Sequence, residues 1–387
     1  MKKILFIQQG LGYGGATKSL LLLQKRIHKK FKLFTISQTV YKRARPIIDD
    51  FKKYSEFYEL DFPKLLYFAT DTTSNEDFET IKNYYPEEII RFIKENEIDI
   101  VHVNSSIFPH LLKPIKEHTE VKLVVHIREM LGDKNSEIPR FIIENHMKYA
   151  DVIIAISTNE VQYYPPSDKI LILPNPHEFD VTDRVLKENR KNNSGKIIVG
   201  MCASFMEYKG QLDFLRMADT INKSGNSKNI QFKIIGYPHF EKTLKGIVKL
   251  ILNYGYKPKF DKLVKQLNIK NLDIIRYTFD IYPALNTMDI IVRPDYTGHP
   301  WGRDIIEAMA MKKPIVATGT SEFFLENGKT GYLVPPRDTK AMADKVLALI
   351  NDDQKRIQFG ESGYIKAKRM CDIEEYGNKI FDVYEHL

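Results

Sequence analysis

The chain has 387 residues, 43% of them hydrophobic, and a formal net charge of +8. That length exceeds what one hydrophobic core usually supports, so two domains are expected. Two cysteines, Cys202 and Cys371, exclude a disulfide framework, lack metal-ligand spacing and fit a reducing cytoplasm, while no apolar run approaches the ~20 residues of a membrane span.

"MKKILFIQQG" opens the chain with an apolar run that ends at Gln8. It is shorter than the roughly 7–15 residues of a secretory h-region, so it reads as a buried first strand. The strand runs into "GLGYGGATKSLLLLQ", a glycine loop leading to a helix, where Gly10, Gly12 and Gly15 satisfy G-x-G-x-x-G. A dinucleotide site also needs an acidic residue about 20 positions on. Here the second strand ends "SQTV" with no acid before Asp49. The basic "YKRARP" that follows suits a 2′-phosphate and keeps an NADP-dependent oxidoreductase open; a loop that merely turns the chain is the other alternative. Residues 1–54 hold 13 Lys or Arg against Asp49 and Asp50, a local excess of +11. Such a surface suits anionic lipid, a phosphorylated acceptor or nucleic acid, or is simply a solvated face. No aromatic-interleaved basic motif supports nucleic acid, which is not expected as a partner.

Ile- and Val-rich runs then alternate with amphipathic helical segments, the pattern of parallel sheets wound on both faces by helices. In the first half the strand candidates are "KILFIQ", "KLFTIS", "IDIVHV", "KLVVHI", "DVIIAIS" and "KILILP". The second half restarts with "KIIVGMCAS", "IQFKIIG", "LDIIRY", "MDIIVRP" and "KPIVAT". Between them "DRVLKENRKNNSGK" is polar and without apolar periodicity, so a hinge is expected at 183–196. Two doubly wound domains joined there would place the C-terminal ends of both sheets around a shared cleft, where open α/β sheets bind ligands.

The most informative stretch is "PDYTGHPWGRDIIEAMAMKKPIVATG", from Pro294 to Gly319. It follows a strand and pairs a glycine-bearing loop with a helix start, whose unpaired N–H groups and positive dipole end suit an anion such as phosphate. Gly302 would let the backbone come close to that ligand. Arg303 and Glu307, four apart, share one helical face beside it; the alternative is a surface salt bridge worth a few tenths of a kcal/mol. Trp301 could stack on a base or sugar, although packing is the commoner use of such an aromatic.

Taken in order, the motifs resemble those of the GT-B glycosyltransferases, and specifically the retaining family 4 (glycosyl transferases group 1). The pieces are "GGATKSL" from Gly14, "VVHIRE" around His126, "AIS" before Thr158, "LPNPHEFD" from Leu173, "EYKGQLDFLRMA" from Glu207, "IIGY" from Ile234, "DIYPALNTMDIIVRP" from Asp280, the Pro294–Gly319 stretch and "NGKTGYLVPPRD" from Asn327. The resemblance covers nearly the whole chain. It implies two Rossmann-like, doubly wound parallel-sheet domains facing each other across a cleft. An acceptor-side domain over 1–183, on which a C-terminal helix at about 370–387 packs back, would precede a nucleotide-sugar-binding domain over 184–369.

By the same resemblance Glu307 accepts hydrogen bonds from the nucleotide ribose, a task that suits a pure acceptor. Lys209 neutralises the donor diphosphate, and Gly14, Gly15, Gly302 and the first-turn residues Arg303 and Asp304 bring backbone N–H groups to it. Ser204, Gly236 and Tyr237 line the donor site, and His126 lies close to the transferred sugar, a packed histidine being its alternative. Arg128, on the same strand face as His126, is a candidate to grip an acceptor phosphate. Two positions depart from the family. Ser204 stands where an arginine is usual, and His299 where the first motif glutamate is usual, so sugar contacts must differ. Arg303 is the candidate replacement cation. No D-x-D triplet occurs, so neither a metal nor another cofactor is expected beyond the UDP- or GDP-sugar donor. The resemblance implies a retaining, hexosyl-type transferase for surface polysaccharide or glycolipid, cytoplasmic or peripheral at the inner face of the membrane. A catalytically silent partner subunit binding nucleotide or glycan is the rival of another class.

Overall fold

A computed structural model describes residues 1–10, 14–38, 45–65, 67–68, 71–132, 136–188, 195–225, 229–238, 255–276, 278, 280–299 and 302–387. Gly12, most of "YKRARP" and Trp301 lie outside these residues. The chain divides into two compact units: Met1–His177 with Cys371–Leu387, and Glu178–Met370.

The first unit is built on a seven-stranded sheet ordered β3-β2-β1-β6-β7-β8-β9, with every ladder parallel. Its strands are β1 (Lys3–Gln8), β2 (Lys32–Ser37), β3 (Glu56–Glu59), β6 (Ile100–Val103), β7 (Lys122–Ile127), β8 (Val152–Ala155) and β9 (Ile170–Ile172). A two-stranded antiparallel pair, β4 (Tyr67–Phe68) and β5 (Asp71–Thr72), stands apart from it. Side chains alternate across a strand, so "KILFIQ" feeds two cores. Leu5 and Ile7 pack with Val101, Val103, Leu111 and Ile115, while Ile4 and Phe6 pack with Leu20, Leu23, Tyr376 and Tyr384. Burial on both faces explains why these strands read as unbroken apolar runs. The second face is covered by α1 (Gly15–Ile27) and by the C-terminal helix α14 (Ile373–His386), joined by an Arg26–Glu374 ion pair.

The second unit carries six strands ordered β12-β11-β10-β13-β14-β15, again all parallel. They are β10 (Ile197–Cys202), β11 (Ile230–Tyr237), β12 (Leu272–Arg276), β13 (Ile290–Arg293), β14 (Ile315–Thr318) and β15 (Gly331–Val334). Helix α8 (Gln211–Lys223) buries Phe214, Leu215, Met217, Ala218 and Ile221 against this sheet.

The expected hinge at 183–196 needs correction. Helix α7 (Phe179–Lys187) runs into it and belongs to the second unit, because Phe179 and Thr182 are buried, Tyr364 donates to Asp183 at 3.0 Å and Asn286 donates to the Val185 carbonyl at 3.0 Å. Residues 189–194 lie outside the described residues. The basic N-terminal segment also changes in space. Lys3 meets Glu97, Arg26 meets Glu374, Lys32 meets Glu56 and Arg45 meets Glu59, so carboxylates from later in the chain reduce the excess counted along it. No helix among the described residues is long and apolar enough to cross a membrane.

In both sheets the strand order reverses once, between β1 and β6 in the first unit and between β10 and β13 in the second. Loops leaving adjacent strands diverge at such a switch point and open a crevice at the C-terminal strand ends.

Candidate active site

At the switch point of the second unit, the loop after β10 meets the loop after β13. A short 3-10 turn, Glu207–Lys209, leads through Gly210 into α8, and the Tyr296 N–H donates to the Tyr208 carbonyl at 2.9 Å. Gly210 adopts φ +77°, and a Cβ there would stand 1.9 Å from the Pro294 carbonyl oxygen, so only glycine allows the two loops this approach. Lys209 Nζ donates to Asp295 Oδ2 at 3.0 Å.

Asp295 is 2% exposed and is the hub of the site. Its Oδ2 also accepts from Arg293 Nη2 at 3.2 Å, and its Oδ1 accepts from the Thr297 N–H at 3.0 Å and from the Thr297 hydroxyl. Burial alone would raise this carboxyl, but Arg293 and Lys209 beside it, with the Thr297 and Lys209 hydrogen bonds, hold it below the usual carboxylate range. Arg293 in turn donates to Asp304 Oδ2 at 2.7 Å and to the His299 carbonyl, tying residues 294–299 to the next helix.

That helix, α11 (Arg303–Ala310), starts at Gly302, which as a glycine supplies no side-chain cap to its first turn. Gly302 has φ +148°, and a Cβ would meet Asp304 Oδ1 at 2.6 Å. Arg303 and Glu307 are largely buried, with Arg303 Nε 3.5 Å from Glu307 Oε1. The pair is therefore not a solvated surface bridge. His299 is pushed below the usual imidazole range by burial first, with Arg293 and Lys209 acting the same way and Asp295 opposing them, so it is neutral at pH 7. Gly236 comes close to the Ala203 carbonyl, where a Cβ would stand 1.9 Å away, and Gln211 donates to the Ser204 carbonyl at 2.9 Å. Tyr237 donates its hydroxyl to Asp261 at 2.9 Å. Burial pushes the Cys202 thiol up, as do Glu307 and Asp304, which leaves it a poor nucleophile.

In the first unit, the switch point joins Gln8, at the end of β1, to Asn104, which follows β6. Asn104 donates to Gln8 Oε1, and Gln8 Nε2 donates to Thr17 Oγ1 at 3.2 Å, in the first turn of α1. Gly14 precedes that helix with no side-chain cap, and a Cβ on it would meet nothing within 4 Å. Gly15 is the first residue of α1. His126, on β7, is fully buried. Burial first, then Arg128 and His102, push it well below the usual imidazole range. The Arg128 guanidinium is engaged inside the unit: Nε donates to Asn104 Oδ1 at 2.8 Å, Nη1 donates to Asn175 Oδ1, and Nη2 lies 3.2 Å from His126 Nδ1.

The structure thus gathers Ser204, Lys209, Gly236, Tyr237, His299, Gly302, Arg303, Asp304 and Glu307 at the strand ends of one unit, and Gly14, Gly15, His126 and Arg128 at those of the other. The sequence reading missed Arg293 and Asp295. The signal available was an arginine and an acid flanking Pro294, where the apolar strand "MDIIVRP" runs into the Pro294–Gly319 stretch.

Residues 196–352 match the family described as Glycosyl transferases group 1. Among curated proteins, the chain is 28% identical to poly(ribitol-phosphate) alpha-N-acetylglucosaminyltransferase of Staphylococcus aureus (strain COL), over 76% of this chain and 55% of that one. It is 27% identical to the S. aureus capsular polysaccharide biosynthesis glycosyltransferase CapM, over 47% of this chain and 52% of that one. The chain therefore spans about half the length of these relatives. Among solved structures, Anabaena HepE in complex with UDP superposes with a TM-score of 0.78 at 16% identity, each chain covered in full. A variant of S. aureus TarM in complex with Fondaparinux, alpha-GlcNAc-glycerol and UDP gives 0.69 at 16% identity, covering 99% of this chain and 100% of that one. With its parallel sheets of seven and six strands, the chain has the fold of the GT-B glycosyltransferases, and its residues 196–352 match the model of the glycosyl transferases group 1.

Proposed function

We propose that the protein is a retaining glycosyltransferase that moves a hexosyl-type sugar from a nucleoside diphosphate sugar, UDP-linked by preference, to a hydroxyl acceptor in surface polysaccharide or glycolipid assembly. The observation that carries this reading is the uncapped start of α11 behind Gly302, with Lys209 fixed beside it on the buried Asp295. When the bond from the sugar's anomeric carbon to the diphosphate breaks, negative charge develops on the departing phosphate. Lys209 and the N–H groups of the helix start are placed to stabilise that charge in the transition state. Because Asp295 already restrains Lys209, little side-chain freedom is left to lose when the diphosphate binds. Glu307 accepts from the ribose hydroxyls. His299, neutral and able both to donate and to accept, contacts the sugar where a carboxylate could only accept. The acceptor hydroxyl attacks the face that the diphosphate leaves and gives its proton to the departing phosphate oxygen, which retains the anomeric configuration. UDP in the neighbouring HepE and TarM structures supports the nucleotide choice.

The experiment is a thermal-shift screen of nucleotide sugars, since binding to the native state raises stability by mass action. The stabilising donors are then assayed for nucleotide release, and the product's anomeric configuration is read by NMR. Stabilisation by UDP-sugars with turnover and retained configuration supports the proposal. His299 and Ser204 at motif positions favour one other reading, a silent nucleotide-binding subunit, for which the same screen gives binding without turnover. Exposed Lys29, Lys30 and Lys52 leave room for contact with anionic lipid. Salt-sensitive co-sedimentation with phosphatidylglycerol vesicles tests that contact, and its absence at low salt refutes it.

A further inference from the structure

His126 Nδ1 lies 3.2 Å from Arg128 Nη2, the imidazole being fully buried in the first unit and Arg128 partly so. A guanidinium only donates hydrogen bonds, so Nδ1 must offer its lone pair and the imidazole proton must sit on Nε2. His126 Nε2 is itself buried and has no hydrogen-bond partner among the described residues. A buried donor in that state favours an incoming acceptor atom, because leaving it unmade is costly.

The same guanidinium reaches well beyond the imidazole. Through Asn104 it holds the residue after β6, and through Asn175 the segment after β9. Asn104 passes the connection to Gln8 and thence to Thr17, two residues past Gly15 in the first turn of α1. One side chain therefore fixes three strand ends and the helix start behind the glycine loop. The remaining groups around it come from the neighbouring elements. The His102 ring is centred 5.5 Å from His126, with its Nδ1 2.5 Å from the Tyr384 hydroxyl. Tyr376 of α14 lies against Arg128, and Glu129 is held by Ser105 and Ser106.

We propose that Arg128 is a positioning residue: it locks His126 as the Nε2–H tautomer, so that a neutral, correctly oriented donor meets the transferred sugar or a water beside it, and it does not itself bind the acceptor. This rests on the glycosyltransferase reading only for the identity of the group that His126 meets; the tautomer stands without it.

The test is 15N NMR of protein labelled at histidine, with His126→Gln assigning the resonance, together with steady-state kinetics. The wild-type spectrum should show a protonated Nε2 and an unprotonated Nδ1 at His126. In Arg128→Met the tautomers should mix or reverse, and kcat should fall roughly 10- to 100-fold, the scale expected when a reacting-site group loses its orientation. The KM for donor and acceptor should change by less than about threefold. Arg128→Lys, which keeps a donor, should restore part of both signals. A proton on Nδ1 in the wild type overturns the proposal without any variant, so a poorly folding Arg128→Met does not protect it. An unchanged tautomer in a folded Arg128→Met, or a selective rise in acceptor KM, overturns it too, the latter in favour of acceptor binding. A tautomer switch in a protein with no transferase activity instead contradicts the proposed function and leaves the role of Arg128 intact.

Discussion

Lowering the pH from about 7.5 to about 5 should unfold the first unit while the second stays folded. Of the chain's ten histidines, eight fall in the first unit, and among the five of these that are at most 2% exposed are His102, His110 and His146. Burial pushes each of these three down to about 3, with Arg128 adding to the effect at His102. A base whose folded pKa lies below its unfolded value of about 6.5 binds protons more readily when unfolded. Its contribution to stability is complete above pH 6.5 and falls steadily as the pH drops from there towards 3. Between pH 7.5 and 5 each such histidine costs about 2 kcal/mol, so the three together cost about 6 kcal/mol. That is comparable with the whole stability of a typical domain, about 5–15 kcal/mol. His126 is shifted the same way and adds to the loss. The window lies above the range in which the paired carboxylates Asp295 and Glu326 take up protons, since both are held low, Glu326 at about 2. Urea unfolding by circular dichroism at the two pH values, with pulse proteolysis and peptide mapping to assign each transition to a unit, measures the effect. A first unit equally stable at both pH values, or a second unit that unfolds first, refutes the burial argument.

Lys209→Met removes one charge-assisted hydrogen bond worth about 1.5–3 kcal/mol, so UDP affinity by calorimetry should drop roughly 10- to 150-fold while uridine affinity stays the same. Asp295 keeps Arg293 and Thr297, so the fold should survive; equal losses for UDP and uridine would contradict a diphosphate role. Gly302→Ala forces a Cβ to within 2.6 Å of Asp304 Oδ1 at φ +148° and should cost about 1–3 kcal/mol in denaturant unfolding, with weakened UDP binding. Wild-type stability in that variant would show that the loop does not need glycine. Cys202, its thiol pushed up by burial, and the buried Cys371 should react with a thiol reagent at pH 8 far more slowly in native than in urea-unfolded protein, and equal rates would refute the environment described.

What the sequence disclosed follows from where each element lies in the sheets. Strands with covered faces, such as "KILFIQ" and "KLVVHI", announce themselves as apolar runs. Within the two parallel sheets, the strands not anticipated are both at edges: β3, "EFYE", is largely solvent-facing, and β15, "GYLV", lies inside a stretch read only as a motif, while the two-residue strands β4 and β5 are too short to leave a pattern. Helix α7 hides in the polar run 183–196 because Phe179, its chief buried apolar side chain, stands before that run, within "LPNPHEFD". In the site, Lys209, Glu307 and Gly302 could be named from local motifs. Asp295 could not be paired with Lys209, 86 residues away, until the strand order brought the two loops together. The turn of Arg128 into its own unit was equally hidden, because it depends on Asn104 and Asn175 arriving from two other strand ends.

The central claim is that the strand ends of the second unit hold a diphosphate between Lys209 and the start of α11. A crystal structure of the protein soaked with UDP tests it most directly. The account predicts the β-phosphate within hydrogen-bond reach of Lys209 Nζ and of the backbone N–H groups that follow Gly302, with the ribose on Glu307. A nucleotide bound elsewhere, or bound here with its phosphates turned away from that helix start, would contradict it.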